Sequence, residues 1–600
     1  MTDFPIYEAD VLERQATHLI GTLGHVSEGK STLVRALTGV KTQRYQKEQE
    51  RNITIHLGYA NCKVYQDTNG HVFAQKTSGP APPNAQLVAH LSFVDCPGHE
   101  AFLATMLGGA SIMDTAALII AGNQEQIPQP QTLEHLIAAH LMGLERFIVL
   151  QNKLDLLTEE ETKANHAKIK AFLTDTNAES APLFPISAQH GWNTHHVLDC
   201  LLGMPPPQRN LSAAAHLTCV RSFDVNKPMQ WLSSANSQSS LKGAVIGGTL
   251  QAGVLVPGDW LELRPGRLTR DEKGNIFTEP LFTQVKEIRC EEQTLPYAIP
   301  GSLIAIQTTL DPAFSAGNGL VGQRVGTPGS LPPLVGDLHI KFQTLKRDMF
   351  PFGKAKVGER VKVCSNVRTV EATIVDMPDK RERVLHLDQP LCCGEGESVA
   401  VLRFHKEAGR ELLEGCGVVK GVVAWPDVIH CEAPNSDAQL QRKPRWIPMD
   451  KPSFAQQAPS YTDLLAELQE EKDDASSGTK GKKLKLKEPI LQRIPKHVIW
   501  ANWTETVEAM DNAPTELPFS DHLKHFFDTE LSTSSSVNGQ GQLIIAGNWK
   551  LNGICSVLRK YVTQFKTCRQ CKSAEVGLYK EGKVLQLQCV RCKARSFVES

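Results

Sequence analysis

The 600-residue chain has almost no net charge: 64 basic against 65 acidic side chains leave −1 at neutral pH. That balance excludes a global electrostatic pull toward nucleic acid, so any such contact must come from a local patch. No uninterrupted apolar run approaches the roughly 20 residues needed to span a bilayer. The first ten residues, Met1 to Asp10, are acidic and lack an apolar segment, which predicts no secretory signal. Fifteen cysteines are present, but eleven are scattered. That distribution argues against a disulfide scaffold and for thiols in a reducing, cytoplasmic compartment, with the last four set apart for metal. A hydrophobic share of 41% and a charged share of 22% describe an ordinary globular protein. At this length about four domains are expected.

The most informative stretch is Gly24-x4-Gly29-Lys30-Ser31-Thr32. It follows the apolar run His18 to Leu23 and leads into the helical pattern Leu33 to Leu37, so it sits in a strand–turn–helix context. Glycines at both ends let the backbone curl so that successive N–H groups face phosphates, and the helix adds the positive end of its dipole. Lys30 supplies a point charge for the β- and γ-phosphates, and the Ser31 hydroxyl is placed to ligate Mg²⁺. Ser27, Glu28 and Thr32 complete the expected phosphate loop. Glu28 is the unusual member, because it sets a carboxyl beside the phosphates.

Residues 18–205 alternate strand-like runs with helical patterns, which predicts an α/β doubly wound domain with its ligand at the carboxyl ends of the strands. Those ends carry further motifs. Asp95-Cys-Pro-Gly98-His99 offers a carboxylate for a Mg²⁺-bound water, a side-chain-free N–H for a γ-phosphate, and an imidazole to orient an attacking water. Asn152-Lys153-Leu-Asp155 ends another strand. Its carboxylate can accept from guanine N1–H and the N2 amino group, Asn152 braces neighbouring loops, and the Lys153 stem lies along the base. Ser187, Ala188 and Gln189 follow a third strand, where a backbone N–H reaches guanine O6. Thr54 is the candidate for a hydroxyl that joins Mg²⁺ only when the γ-phosphate is present. The set predicts a GTP/GDP site with Mg²⁺.

The segments Glu50 to Asn61, Val94 to His99, Ala104 to Leu107, Pro128 to Thr132 and Val220 to Pro228 resemble the gamma subunit of eukaryotic and archaeal translation initiation factor 2, a translational GTPase similar to elongation factor Tu. The resemblance covers roughly residues 18–424. It implies a GTPase domain followed by two β-barrels, with a cleft for the methionylated end of initiator tRNA. Tyr59 on the switch strand is either a contact in that cleft or a packing residue. It also implies delivery to the small ribosomal subunit, with an alpha-like subunit and GTPase-activating or exchange factors as further partners. Residues 63–90 contain no cysteine, so the cysteine knuckle that some members carry is absent.

Residues 1–17 read as an N-terminal extension. Short strands and Gly-rich turns predict the barrels at 210–332 and 334–424. Residues 425–490 read as a linker with an amphipathic docking helix near 460–470, carrying Tyr461, Leu464, Leu465 and Leu468 on one face. A lysine run at 480–487 within it is either solvated or a dock for RNA or an acidic partner. A small α/β unit is expected at 491–565 and a zinc ribbon at 566–600.

In the ribbon, Cys568-x2-Cys571 and Cys589-x2-Cys592 are separated by seventeen residues, a spacing that favours tetrahedral Zn²⁺ over a redox or disulfide pair. Residues 550–600 carry eleven basic and three acidic side chains, a credible RNA-facing surface. This tail resembles the beta subunit of the same factor and initiation factor 5. The whole predicts a gamma–beta fusion whose docking helix is an intramolecular clasp. Two other readings are a GTP-binding scaffold that has lost hydrolysis and a selenocysteine-type elongation factor.

Overall fold

A computed structural model describes residues 3–43, 48, 54–99, 102–124, 126–141, 143–174, 176–205, 207–226, 242–344, 352–379, 381–407, 409–452, 454, 458–477, 486–511, 513–568, 573–581, 584–590 and 595–598. Cys571, Cys592, residues 50–53, Lys227, Pro228 and the lysine run from 480 to 485 lie outside them.

The N-terminal sheet is built from β2 (His18–Leu23), β3 (Gly58–Asp67), β4 (Val72–Lys76), β5 (Ala85–Asp95), β6 (Thr115–Ala121), β7 (Phe147–Asn152) and β8 (Leu183–Pro185). Its order is β4-β3-β5-β2-β6-β7-β8. From β5 to β8 the strands run parallel, whereas β3 joins antiparallel to both β4 and β5. Strands β2, β6 and β7 are buried along their whole length. Parallel strands covered on both faces by helices require that, so their sequences read as unbroken apolar runs. Local chemistry fixes the helix ends. At Glu159–Leu173, Thr158 and Glu161 form a reciprocal capping box, with the Thr158 N–H donating to the Glu161 carboxylate at 2.8 Å.

Two six-strand rings follow. The first runs Trp260–Arg270, Arg324–Gly326, His216–Phe223, Val245–Ala252, Leu303–Thr308 and Ile276–Cys290, closing back onto Trp260–Arg270. The second is the closed barrel of Leu334–Thr344, Glu382–Cys392, Arg368–Asp376, Arg360–Ser365, Ser398–His405 and Arg410–Ala424. Closure removes the edges of each ring, and the short strand Gln293–Leu295 pairs outside the first ring along Ile276–Cys290. Leu402, Leu413 and Cys416 of the second barrel share a core with Leu103, Leu107 and Leu118 of the GTPase domain. Within this barrel Arg383 forks onto Glu414 with two bonds of 2.9 Å, and its guanidinium lies 3.7 Å over the Phe342 ring.

The stretch 425–455 is more than a linker. The strand Lys443–Ile447 pairs in parallel with β1 (Asp3–Tyr7), from Asp3↔Lys443 to Tyr7↔Ile447. Arg442 forks onto Asp259 of the first barrel at 2.7 and 2.9 Å, and Lys451 pairs with Glu8 at 2.6 Å. Pro444 within the strand disguises it, because proline is tolerated where a strand has a free edge. The helix Tyr461–Ser477 then lies on the GTPase domain, with Leu464, Leu465 and Leu468 buried. Its Tyr461 hydroxyl donates to Gln151 Oε1 at 2.6 Å, and its ring stacks on His166 at 3.7 Å. Lys472 donates to the carbonyls of Leu154 and Leu157.

The tail is a four-stranded sheet, Leu491–Ile494, His497–Trp500, Leu543–Ala546 and Ser535–Val537, under three helices. It continues into a three-stranded ribbon whose Cys568, Leu578, Leu587 and Cys589 join the same core as Trp500, Phe527 and Tyr561. The unit and the ribbon, expected as separate domains, share one interior.

Replacing Glu414 by Ala leaves Arg383 of the second barrel buried without its carboxylate, while Arg403 keeps Glu359. We expect a loss of about 3–5 kcal/mol in the barrel's stability, read by urea unfolding of the full chain.

Candidate nucleotide-binding site

At the carboxyl ends of β2, β5, β7 and β8 the structure gathers the phosphate loop, Asp95 to His99, Asn152 to Asp155 and Ser187 to Gln189. Gly29 caps the helix Lys30–Thr38 with φ +103°, and Ser27 also sits at positive φ. A Cβ at Gly29 would stand 2.3 Å from Asn152 Nδ2, and one at Gly24 would stand 2.5 Å from the Ile119 carbonyl. Both glycines are therefore required by close approach as well as by backbone geometry. Lys30 is buried and donates to the carbonyls of Gly24 at 2.8 Å and His25 at 2.6 Å. Burial pulls its ammonium below its ordinary range, opposed by Glu28 and Asp95. Gly98 crosses directly over this ammonium: a Cβ there would lie 2.2 Å from Lys30 Nζ. These surroundings fit a phosphate chain, with a buried cation, a left-handed turn and a helix N-terminus converging on one point.

Asp95 is fully buried and takes three hydroxyls. Thr42 donates to Oδ2 at 2.6 Å, Thr54 to Oδ2 at 3.4 Å and Thr22 to Oδ1 at 3.3 Å. Burial raises its carboxyl. Ser31 Oγ lies 3.1 Å from Thr54 Oγ1. Ser31, Thr54 and Asp95 thus form a compact oxygen set of the kind that holds a hard cation. The sequence does not single out Thr42 and Thr22, because threonines flanking a strand give no motif.

On the base side, Asn152 Nδ2 donates to the Glu28 carbonyl at 2.8 Å, and its Oδ1 accepts the Ala188 N–H at 3.0 Å. Lys153 takes a left-handed conformation, φ +64°. Ser187 Oγ donates to Asp155 Oδ1 at 2.7 Å, and His190, stacked on Trp192 at 4.6 Å, lies 4.0 Å from Asp155 Oδ2. The exposed His99 stands near the Phe102 ring, and burial lowers the pKa of the neighbouring His25 imidazole.

Two placements differ from expectation. The Glu28 carboxyl is fully buried: it accepts the Thr132 hydroxyl at 3.1 Å on both oxygens and the His25 N–H. Burial pushes it up to about 7. Thr132 and His135, which accepts the Gly24 N–H at 3.2 Å, are loop supports that sequence reasoning missed, although Thr132 closes one of the quoted segments. Tyr59 is not open to a nucleic acid in this arrangement. Its hydroxyl is buried with no hydrogen-bond partner, and Arg221 of the first barrel lies 5.8 Å from its ring while donating to the Leu57 carbonyl.

In the ribbon, Cys568 and Cys589 are buried. Their partners Cys571 and Cys592 lie outside the described residues.

Residues 15–207 match the family model of the elongation factor Tu GTP-binding domain, and residues 474–595 match that of the domain found in initiation factors 2B and 5. Eukaryotic translation initiation factor 2 subunit gamma of Schizosaccharomyces pombe is 44% identical over 441 residues, 70% of this chain and 96% of that protein. Eukaryotic translation initiation factor 2 subunit 3 of Drosophila melanogaster is 44% identical over 354 residues, 56% of this chain and 73% of that protein. Among solved structures, archaeal elongation factor SelB from Methanococcus maripaludis superposes with TM-score 0.50 at 18% identity, covering 71% of this chain and 81% of that one. A bacterial selenocysteine-specific elongation factor gives TM-score 0.50 at 22% identity over 67% of this chain and 58% of that one. These two likenesses concern the fold alone.

Glu28 yields a pH prediction. Its ordinary pKa of 4.5 rises to about 7 on folding, so between these values the folded chain holds a proton that the unfolded chain has lost. Stability therefore falls as pH rises through that window. Phosphate charge favours the neutral carboxyl as well, so nucleotide affinity weakens by up to about tenfold from pH 6 to pH 8. Titration of fluorescent GDP should show that slope in the parent and a flatter one in Glu28→Gln.

Proposed function

The chain belongs to the family of the gamma subunit of eukaryotic translation initiation factor 2, and from that premise we propose that it carries initiator methionyl-tRNA to the small ribosomal subunit. It is a GTP-dependent translation initiation factor and a translational GTPase, and the same chain carries the domain found in initiation factors 2B and 5. The observation that carries the reading is the meeting of Thr54 with Ser31 and Asp95 beneath the phosphate loop. A hydroxyl from a separate segment reaches the cation-binding oxygens, which is what a γ-phosphate-dependent switch requires.

In this reading Lys30 and the N–H groups of residues 24–32 hold the phosphates, and Asp155, Ser187, Ala188 and Gln189 read guanine, braced by Asn152 and Lys153. Ser31 and Thr54 would hold Mg²⁺, with Asp95 acting through a water, and the ion would supply charge neutralisation for the phosphates. His99 orients the attacking water. A bond forms from that water to the γ-phosphorus as the bridging P–O bond to the β-phosphate breaks, leaving GDP and phosphate. Thr54 and the Gly98 N–H then lose their γ-phosphate contact, the barrels are freed to move, and the tRNA is released. No arginine is assigned as an internal finger, so a GTPase-activating partner supplies the missing charge. An exchange factor and an alpha-like subunit complete the expected partners, in the cytoplasm. The carboxyl of Glu28, the one feature that favoured a scaffold without hydrolysis, is engaged by Thr132 and the His25 N–H.

Filter binding of charged initiator and elongator tRNA to the full chain tests the reading. We expect initiator tRNA to bind about 5–150-fold more tightly with GTP than with GDP, the usual range for coupled sites. Equal binding in the two nucleotide states, or a preference for ATP, overturns it. For the tail, we assign structural Zn²⁺ to Cys568, Cys571, Cys589 and Cys592. Cys568→Ser and Cys589→Ser should each remove one tightly held zinc per chain and open the shared core around Phe565 to protease.

A further inference from the structure

The helix Tyr461–Ser477 meets the GTPase domain through a cluster that the nucleotide reading leaves unused. His195 and His196 lie in the first turn of the helix Thr194–Gly203, and Glu467 faces them from the clasp helix. His196 Nε2 stands 2.7 Å from Glu467 Oε2, and His195 Nε2 stands 3.3 Å from Oε1. Adjacent residues on a helix normally diverge, yet these imidazoles lie with centroids 3.9 Å apart. One donor atom from each of the three residues lies within 4.8 Å of the others.

Around a four-coordinate ion with bonds of about 2.0–2.1 Å, neighbouring donors stand about 3.3 Å apart. The His195–Glu467 spacing already has that value, and the His196–Glu467 pair has to open by a little over about half an ångström. One more carboxylate stands nearby, outside that three-residue set. Glu471, one turn along the clasp helix, accepts the Asn193 N–H, and both Glu467 and His196 act on its charge. Its Oε2 is buried with no hydrogen-bond partner. Two imidazoles with carboxylate oxygens form a donor set for borderline ions and a poor one for Ca²⁺ or Mg²⁺.

We propose that His195, His196 and Glu467 bind a divalent ion of the zinc class that staples the clasp helix to the GTPase domain, with Glu471 close enough along the helix to turn in as a fourth ligand. The site is distinct from the cysteine ribbon and stands whether or not the nucleotide reading does.

The test is a Co²⁺ titration of the full chain, with its cysteine ribbon already loaded with zinc, followed by visible absorption and amide exchange. One Co²⁺ per chain should bind with weak visible bands and no thiolate charge-transfer band, and exchange over residues 461–477 should slow. His196→Gln and Glu467→Gln should each weaken that binding about tenfold or more and abolish the slowing, with nucleotide affinity retained as the check on folding. Unchanged Co²⁺ affinity in both variants overturns the proposal, as does binding that leaves exchange over the clasp helix unaltered, which marks an adventitious ion only.

Discussion

A single carboxamide holds the nucleotide site together. Asn152, at the last position of β7, donates to the Glu28 carbonyl in the phosphate loop and accepts from the Ala188 N–H in the base loop. Three loops leave different strands of the parallel sheet, and nothing in the sheet itself obliges them to agree on one ligand. The amide does, because its donor and acceptor point in opposite directions and cannot be exchanged. Room for it exists only because Gly29 has no side chain. The neighbouring Gln151 extends the same bracing outward, accepting from Tyr461 while donating to Asn165 and the Thr162 carbonyl. Phosphate loop, base loop and clasp helix are thus linked through two consecutive residues of one strand.

How much of this is legible in the sequence depends on whether the signal is local. The phosphate loop, Asp95 to Gly98 and Asn152 to Asp155 announce themselves because glycine, lysine and carboxylate at set spacing have few other uses. The parallel strands are visible as unbroken apolar runs, and the clasp helix as a stripe from Tyr461 to Leu468. Contacts that join distant segments leave no trace. Thr42, Thr22 and Thr132 serve the site through hydroxyls that look like any surface threonine. The strand Lys443–Ile447 is hidden by its proline and by the distance to its partner. Glu28 stands out as odd within its motif, but only the fold reveals that its carboxyl is buried against Thr132. Residue pattern alone leaves Tyr59 between two roles, and its burial against the first barrel favours packing.

Joining the clasp to the GTPase domain in one chain changes its energetics. A helix supplied by a separate subunit must pay the full entropy of association. A tethered one faces an effective concentration near the millimolar range for a short flexible linker, so modest contacts suffice to keep it seated. The contacts here are mixed: buried leucines, the Tyr461–His166 stack, the Asn193 Nδ2 bond to the Leu464 carbonyl at 2.7 Å and the contacts of Glu467 with His195 and His196.

The pairing of Asp3–Tyr7 with Lys443–Ile447 sets an order of events during synthesis. Its rungs join residues 440 positions apart, so Asp3–Tyr7 waits for its partner until both barrels have been synthesised. At ordinary elongation rates that delay is roughly 20–90 s. Throughout it, Pro5 and the acidic Asp3, Glu8 and Asp10 guard an edge that would otherwise recruit a neighbouring nascent chain.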